Sequence, residues 1–121
     1  MKRKFFDLAK KMSFHSTHPQ FNIGCVIVKG NRVISLGTNK LKTHTKSNNL
    51  YQQLHAEIVA ILAADRRDLK GCDAYTYRAH KDGTLAISKP CIHCQMALAE
   101  AGIAKARFTI DGGYQEMTIT K

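Results

Sequence analysis

Two short segments, His55-Ala56-Glu57 and Pro90-Cys91-Ile92-His93-Cys94, constrain this chain most: 33 residues lie between Glu57 and Cys91, yet a shared metal requires both in one place. Cysteines three apart on the first turn of a helix reach a common ion, and the positive end of that helix favours their thiolates. Pro90 suits such a helix start. His55, Cys91 and Cys94 then supply three ligands for Zn²⁺ and leave the fourth tetrahedral position to water, the arrangement of a catalytic rather than a closed structural site. A neutral histidine and two thiolates cancel the charge of the ion, so Glu57 is free to handle the proton of that water. Because i and i+2 lie on different faces of a helix, His55 and Glu57 take different roles. His93 rivals them by composition, but it points off the face shared by Cys91 and Cys94 and suits an outer-shell or surface role.

The chain has 121 residues and no Pro/Gly/Ser-rich linker or internal repeat, so a single domain over 1–121 is expected. Met1-Lys2-Arg3-Lys4 is basic like the start of a signal peptide, yet no continuous apolar stretch of signal or membrane length follows. A soluble, cytoplasmic protein without membrane association is expected. Of the four cysteines, Cys91 and Cys94 are best used as thiolates, while Cys25 and Cys72 lie in or beside apolar strand-like segments as buried free thiols. The formal charge of +10 attracts phosphate-bearing partners without naming them. A solvated basic surface accounts for it as well, since the lysines are scattered.

Phe5, Leu8, Ala9 and Met12 fall at helical spacing and predict a first helix over 2–13. Ile23 to Val28 and Val33 to Gly37, joined by Lys29-Gly30-Asn31-Arg32, predict a hairpin. Residues 40–52 read as a polar loop leading to the metal site. A helix from about Gln53 to Arg66 follows, with Leu54, Ile58, Ile61 and Leu62 on one face. Ala74 to Arg78 reads as a strand with Tyr75 and Tyr77 on one face, and Lys81-Asp82-Gly83 as a turn. Cys91 to Ala101 is the second metal helix, capped by Gly102. Ala106 to Ile110 and Met117 to Thr120 are the last strands, joined through Asp111-Gly112-Gly113. This order predicts a three-layer α/β/α sandwich around a five-stranded mixed sheet.

H-x-E followed by P-C-x-x-C is the signature of zinc-dependent nucleobase deaminases. With both halves in order and similar surroundings, most of the chain resembles the cytidine deaminase-like superfamily, of cytidine/deoxycytidylate deaminase type. A lone C-x-x-C would say little, because redox sites and zinc ribbons share it. The resemblance implies the deaminase fold, Zn²⁺ as cofactor and Glu57 as proton shuttle. Relatives acting on nucleic acids or on deoxycytidylate usually place a helix between the last two strands. This chain has no room for one, so the last two strands are expected to be antiparallel, as in free-nucleoside enzymes.

The resemblance also suggests substrate contacts. Phe21-Asn22-Ile23-Gly24 resembles the F-x-V-G of nucleoside deaminases, whose ring lies against the base, although strand packing explains the ring equally well. Gly37-Thr38-Asn39 resembles a G-x-N whose Asn bonds the sugar, but Leu41 stands where nucleoside enzymes carry a ribose-gripping Glu. The Ala56 amide is a candidate donor to the base carbonyl. Ser88 and Pro90 line the expected pocket, with His44, Asn48, Asn49 and Lys89 as further loop candidates. His55, where nucleoside enzymes usually carry Cys, is shared with deoxycytidylate, tRNA adenosine and polynucleotide cytosine deaminases.

The expected function is hydrolytic deamination of a cytosine-containing nucleoside or nucleotide to the uracil form with release of ammonia. The expected partners are that small molecule and further copies of the chain in a dimer or tetramer. One alternative is deamination of cytosine or adenine in single-stranded DNA or RNA. Another is a non-catalytic, zinc-stabilised nucleic-acid-binding module, which would not need Glu57.

Overall fold

The structure, a computed structural model, describes residues 2–16, 21–43 and 51–119. Its main sheet is built of β1 (Ile23–Lys29), β2 (Arg32–Thr38), β5 (Asp73–Arg78), β6 (Lys105–Ile110) and β7 (Gly113–Thr118), in the spatial order β2-β1-β5-β6-β7. Only β5 and β6 are parallel, so the sheet is mixed as expected. The antiparallel ending is present too: Lys105 faces Thr118 and Ile110 faces Gly113 across the β6–β7 hairpin.

β1 shows why the sheet is the middle layer. Cys25 and Ile27 join the core beneath α2 (Ala56–Ala63) and α3 (Ile92–Ala101), whereas Val26 and Val28 face α1 (Arg3–Ser13). A strand covered on both faces reads as a continuous apolar run, and Cys25, Val26, Ile27 and Val28 are all buried. Tyr75 and Tyr77 share the α1 side. There Phe6 meets Tyr75 edge-on at 5.0 Å and Tyr114 at 4.4 Å between ring centroids. The stripe buried by α1 is Phe5, Phe6, Ala9 and Ser13, with Leu8 and Met12 only half-buried at its margin.

Three readings of the sequence need correction, the first being the last strand, expected over Met117 to Thr120, which starts at Gly113 and ends at Thr118. Residues 40–52, expected as a loop, include β3 (Lys40–Thr43), which pairs with β4 (Tyr51–Leu54) in a separate antiparallel ribbon. Four-residue strands in a mostly polar sequence give too short a pattern to stand out. The helix expected from Gln53 begins at Ala56, because Gln53 and Leu54 belong to β4, and it ends at Ala63 before a 3₁₀ turn at Arg66–Asp68. Its buried stripe is Ala56, Glu57, Ala60 and Ile61, which leaves Leu62 72% exposed.

Alanines on that stripe let α2 lie close to the sheet, and Gly37 completes the approach. A Cβ at Gly37 would lie 2.5 Å from both the Ala56 carbonyl oxygen and the Ala60 amide nitrogen. This contact seats the turn of α2 that follows His55. Gly37→Ala must push the helix outward, and an overpacking cost of about 1–3 kcal/mol is expected. Urea denaturation measures it, and zinc affinity should fall in parallel because His55 moves with the helix.

Candidate active site

His55 and Cys91 occupy equivalent places: each is the extended N-cap residue of its helix, α2 for His55 and α3 for Cys91. Neither side chain caps its helix, so both are available to a metal. Pro90 therefore precedes the N-cap instead of opening the helix. It is buried, and its carbonyl accepts a 2.8 Å hydrogen bond from Gln95 Nε2, a tether not apparent in the sequence. On the α3 side Gly102, left-handed at φ 88°, ends the helix as expected.

Two helix N-termini thus converge on one point. His55 Nδ1 lies 3.8 Å from Cys91 Sγ, and the ligand atoms of His55, Cys91 and Cys94 all lie within 4.8 Å of one another. A tetrahedral zinc with Zn–S about 2.3 Å and Zn–N about 2.0–2.1 Å separates its ligand atoms by about 3.5–3.8 Å. The donor set and its spacing fit that ion. His93 is exposed and outside the cluster.

The thiol of Cys94 is 1% exposed, and burial, followed by the Glu57 carboxylate, raises its pKa far above the ordinary cysteine range. A thiolate there needs a cation beside it. Glu57, 5% exposed, is also raised by burial, against lowering hydrogen bonds from its own backbone amide and from Cys94. The carboxylate is thus held next to the ligands without belonging to the ligand cluster. Cys25 lies beneath them, fully buried and unpaired, its thiol kept protonated first by burial and then by the charges of Glu57 and Cys94. Cys72 is likewise a buried free thiol.

Other expected site residues are placed differently. Asn39 is fully buried; its Oδ1 accepts from Ile23 N at 2.9 Å and its Nδ2 donates to Phe21 O at 2.8 Å. Its amide therefore braces the segment bearing Phe21. Phe21 is 39% exposed, with the Arg78 guanidinium 4.5 Å over its ring. Ser88, expected at the pocket wall, is instead turned inward: its hydroxyl bonds Thr76 O at 3.1 Å, receives Thr109 N at 2.9 Å and lies 2.8 Å from Thr109 Oγ1. A hydroxyl between two strands finds better partners in their backbone than in the cleft. Lys89 is exposed, while Ala56 is fully buried in the first turn of α2. His44, Asn48 and Asn49 lie outside the described residues.

Residues 1–110 match the family model described as the cytidine and deoxycytidylate deaminase zinc-binding region. The chain belongs to this deaminase family. It is therefore a zinc-dependent deaminase, a hydrolase, and its His/Cys/Cys cluster corresponds to a zinc-binding region. Among curated proteins the deaminase is 32% identical to an uncharacterized deaminase in the luxG 3′ region of Aliivibrio fischeri, across 85% of this chain and 68% of that one. It is 35% identical to the riboflavin biosynthesis protein RibD of Buchnera aphidicola, across 85% of this chain but only 24% of the longer protein. Among solved structures, the dCMP deaminase of cyanophage S-TIM5 in complex with dCMP and dUMP shares the fold. The TM-score is 0.67 at 20% identity, over 89% of this chain and 82% of that one. Among the described residues, no helix of the deaminase is long and apolar enough to cross a membrane.

Proposed function

We propose that this deaminase converts the cytosine of a free nucleoside or nucleotide to uracil with release of ammonia, using Glu57 to move every proton. The observation that carries this reading is a buried carboxylate in contact with Cys94 beside a three-ligand cluster. Bound by His55, Cys91 and Cys94, zinc would supply a hydrolytic nucleophile at neutral pH by acidifying a water. Glu57 accepts one proton of that water and delivers it to the ring nitrogen; it then takes the second proton, from the hydroxyl added to C4, and passes it to the exocyclic amine, which leaves as ammonia as the C4 carbonyl forms. One carboxylate serves as base and then as acid, and the burial of Glu57, 5% exposed, limits exchange of that proton with bulk water.

The remaining residues hold the base. The Ala56 amide is one of the first-turn N–H groups that a helix leaves without an intrahelical partner, so it suits the base carbonyl. Phe21, braced by Asn39, presents its ring to the base, with Pro90 closing the far wall. Ile92 and Met96, 63% and 60% exposed on α3, are apolar surface in keeping with a dimer or tetramer.

The test is ammonia release from a panel of cytidine, deoxycytidine, their monophosphates, adenosine, guanosine and cytosine-containing oligonucleotides. Turnover is expected on the monomeric cytosine compounds. Turnover confined to oligonucleotides and falling steeply with salt, as loss of phosphate contacts requires, would instead establish the nucleic-acid reading that the charge of +10 favours.

A further inference from the structure

β5 and β6 are the parallel pair of the sheet, and they part before they end. Their register stops at Thr76 opposite Phe108, although β5 runs on to Arg78 and β6 to Ile110. Where they diverge, the segment that leads to the metal helix enters between them. Ala86 N donates to Arg78 O at 3.0 Å on the β5 side, and Ser88 N donates to Thr109 O at 2.9 Å on the β6 side. The segment thus continues the sheet across the split.

Three hydroxyls close the gap. The Ser88 hydroxyl accepts from Thr109 N at 2.9 Å and donates to Thr76 O at 3.1 Å, so one oxygen spans the ladder position that the parted strands no longer fill. Thr76 Oγ1 donates to Ser88 O at 3.1 Å. Thr109 Oγ1 donates to Ala86 O at 2.6 Å and accepts from Arg78 N at 3.2 Å. Thr76, Ser88 and Thr109 are 2%, 7% and 0% exposed, so a bond that one of them gives up has no ready replacement in solvent.

The ligand Cys91 is three residues beyond Ser88, a reach of about 10 Å at most. That stretch is stiff, because Pro90 fixes its own φ and holds Lys89 to extended conformations. Gln95 secures it from the helix side, donating from Nε2 to Pro90 O and from its backbone N to Cys91 O, both at 2.8 Å. The two cysteine ligands are therefore seated differently. Cys94 shares the buried face of α3 with Leu98 and Ala101 and is placed by helix packing. Cys91 precedes the first turn as N-cap and takes its position from the segment that leads to it.

We propose that Ser88 is a positioning residue of the metal centre: anchored between Thr76 and Thr109, it sets where the Cys91 thiolate stands relative to His55 and Cys94. Groups that orient a ligand without touching the ion govern metal affinity by about 10–100-fold. The role belongs to the zinc-dependent reaction and is the same whichever base is deaminated.

Competition with a chelator of known zinc affinity tests it on Ser88→Ala protein, together with the visible spectrum of the cobalt(II)-loaded form. Ser88→Ala should bind zinc at least about tenfold more weakly. Its cobalt form should lose intensity in the thiolate-to-metal charge-transfer band. Thr109→Val, which keeps the shape and removes the hydroxyl, should repeat both changes, and Thr109→Ser, which keeps the hydroxyl, should behave as wild type. Val28→Ala is the comparison for stability alone, because Val28 faces α1 on the other side of the sheet. It should lower the melting temperature of the zinc-free protein and leave zinc affinity and the cobalt spectrum unaltered. Wild-type affinity and spectrum in Ser88→Ala overturn the proposal, whatever the melting temperature. Equal damage from Thr109→Ser and Thr109→Val overturns it as well, as does an equal loss of affinity in Val28→Ala. If Ser88→Ala does not fold, the Thr109 pair decides alone.

Discussion

Glu57→Gln is expected to lower kcat for ammonia release by about three orders of magnitude, within the 10²–10⁴ range of positioned acid–base groups, while zinc stays bound. The amide keeps the shape of the carboxyl, so the packing of the first turn of α2 is preserved, but it cannot accept the proton of the attacking water. Nor can it return one to the ring nitrogen or the departing amine. Because the charged carboxylate is 5% exposed and carries a desolvation cost, the neutral amide should not lower the melting temperature. Steady-state kinetics, metal analysis and a melting curve on the same preparation give the decisive pattern. Turnover at the wild-type rate would remove Glu57 from the mechanism.

Cys94→Ala should produce the second largest effect, a loss of zinc affinity of about 10²–10³-fold. Zinc sites are worth about 10–16 kcal/mol in total, so one of three protein ligands carries several kcal/mol of it. Cys94 is the most buried ligand, and neither water nor a neighbour can replace its sulfur without opening the junction of α2 and α3. Competition with a chelator of known affinity measures the change. The stabilisation that zinc confers on the folded state should shrink with it. His93→Ala is the control: exposed and outside the cluster, it should leave affinity unaltered, and an equal loss there would reassign the third ligand.

The chemistry of the centre was legible along the chain because it depends on residue types at fixed local spacing. Cys91 and Cys94 share a helix face wherever that helix packs, and His55 and Glu57 diverge wherever theirs begins. The layer order was legible for a similar reason, since a strand covered on both faces needs an unbroken apolar run and a surface helix needs a stripe. The β3–β4 ribbon was not, because each of its strands is only four residues long and set in a mostly polar sequence. Nor was the start of α2: Leu54 continues the apolar pattern backward into β4, and pattern alone cannot distinguish a helix from a strand at a single residue.

Side-chain direction at the cleft belongs to the tertiary structure. Asn39 and Ser88 both read as substrate contacts, yet Asn39 braces Phe21 and Ile23, and Ser88 joins Thr76 and Thr109. A buried polar group takes whichever partners the packing brings within reach, and those partners lie tens of residues away. The space shared by Lys10, Phe21 and Lys81 arises in the same way, since α1, the start of β1 and the end of β5 must meet before it exists. Local spacing thus specifies the zinc ligands and the proton carrier. The surroundings of the substrate depend on long-range packing, which no segment of the chain encodes alone.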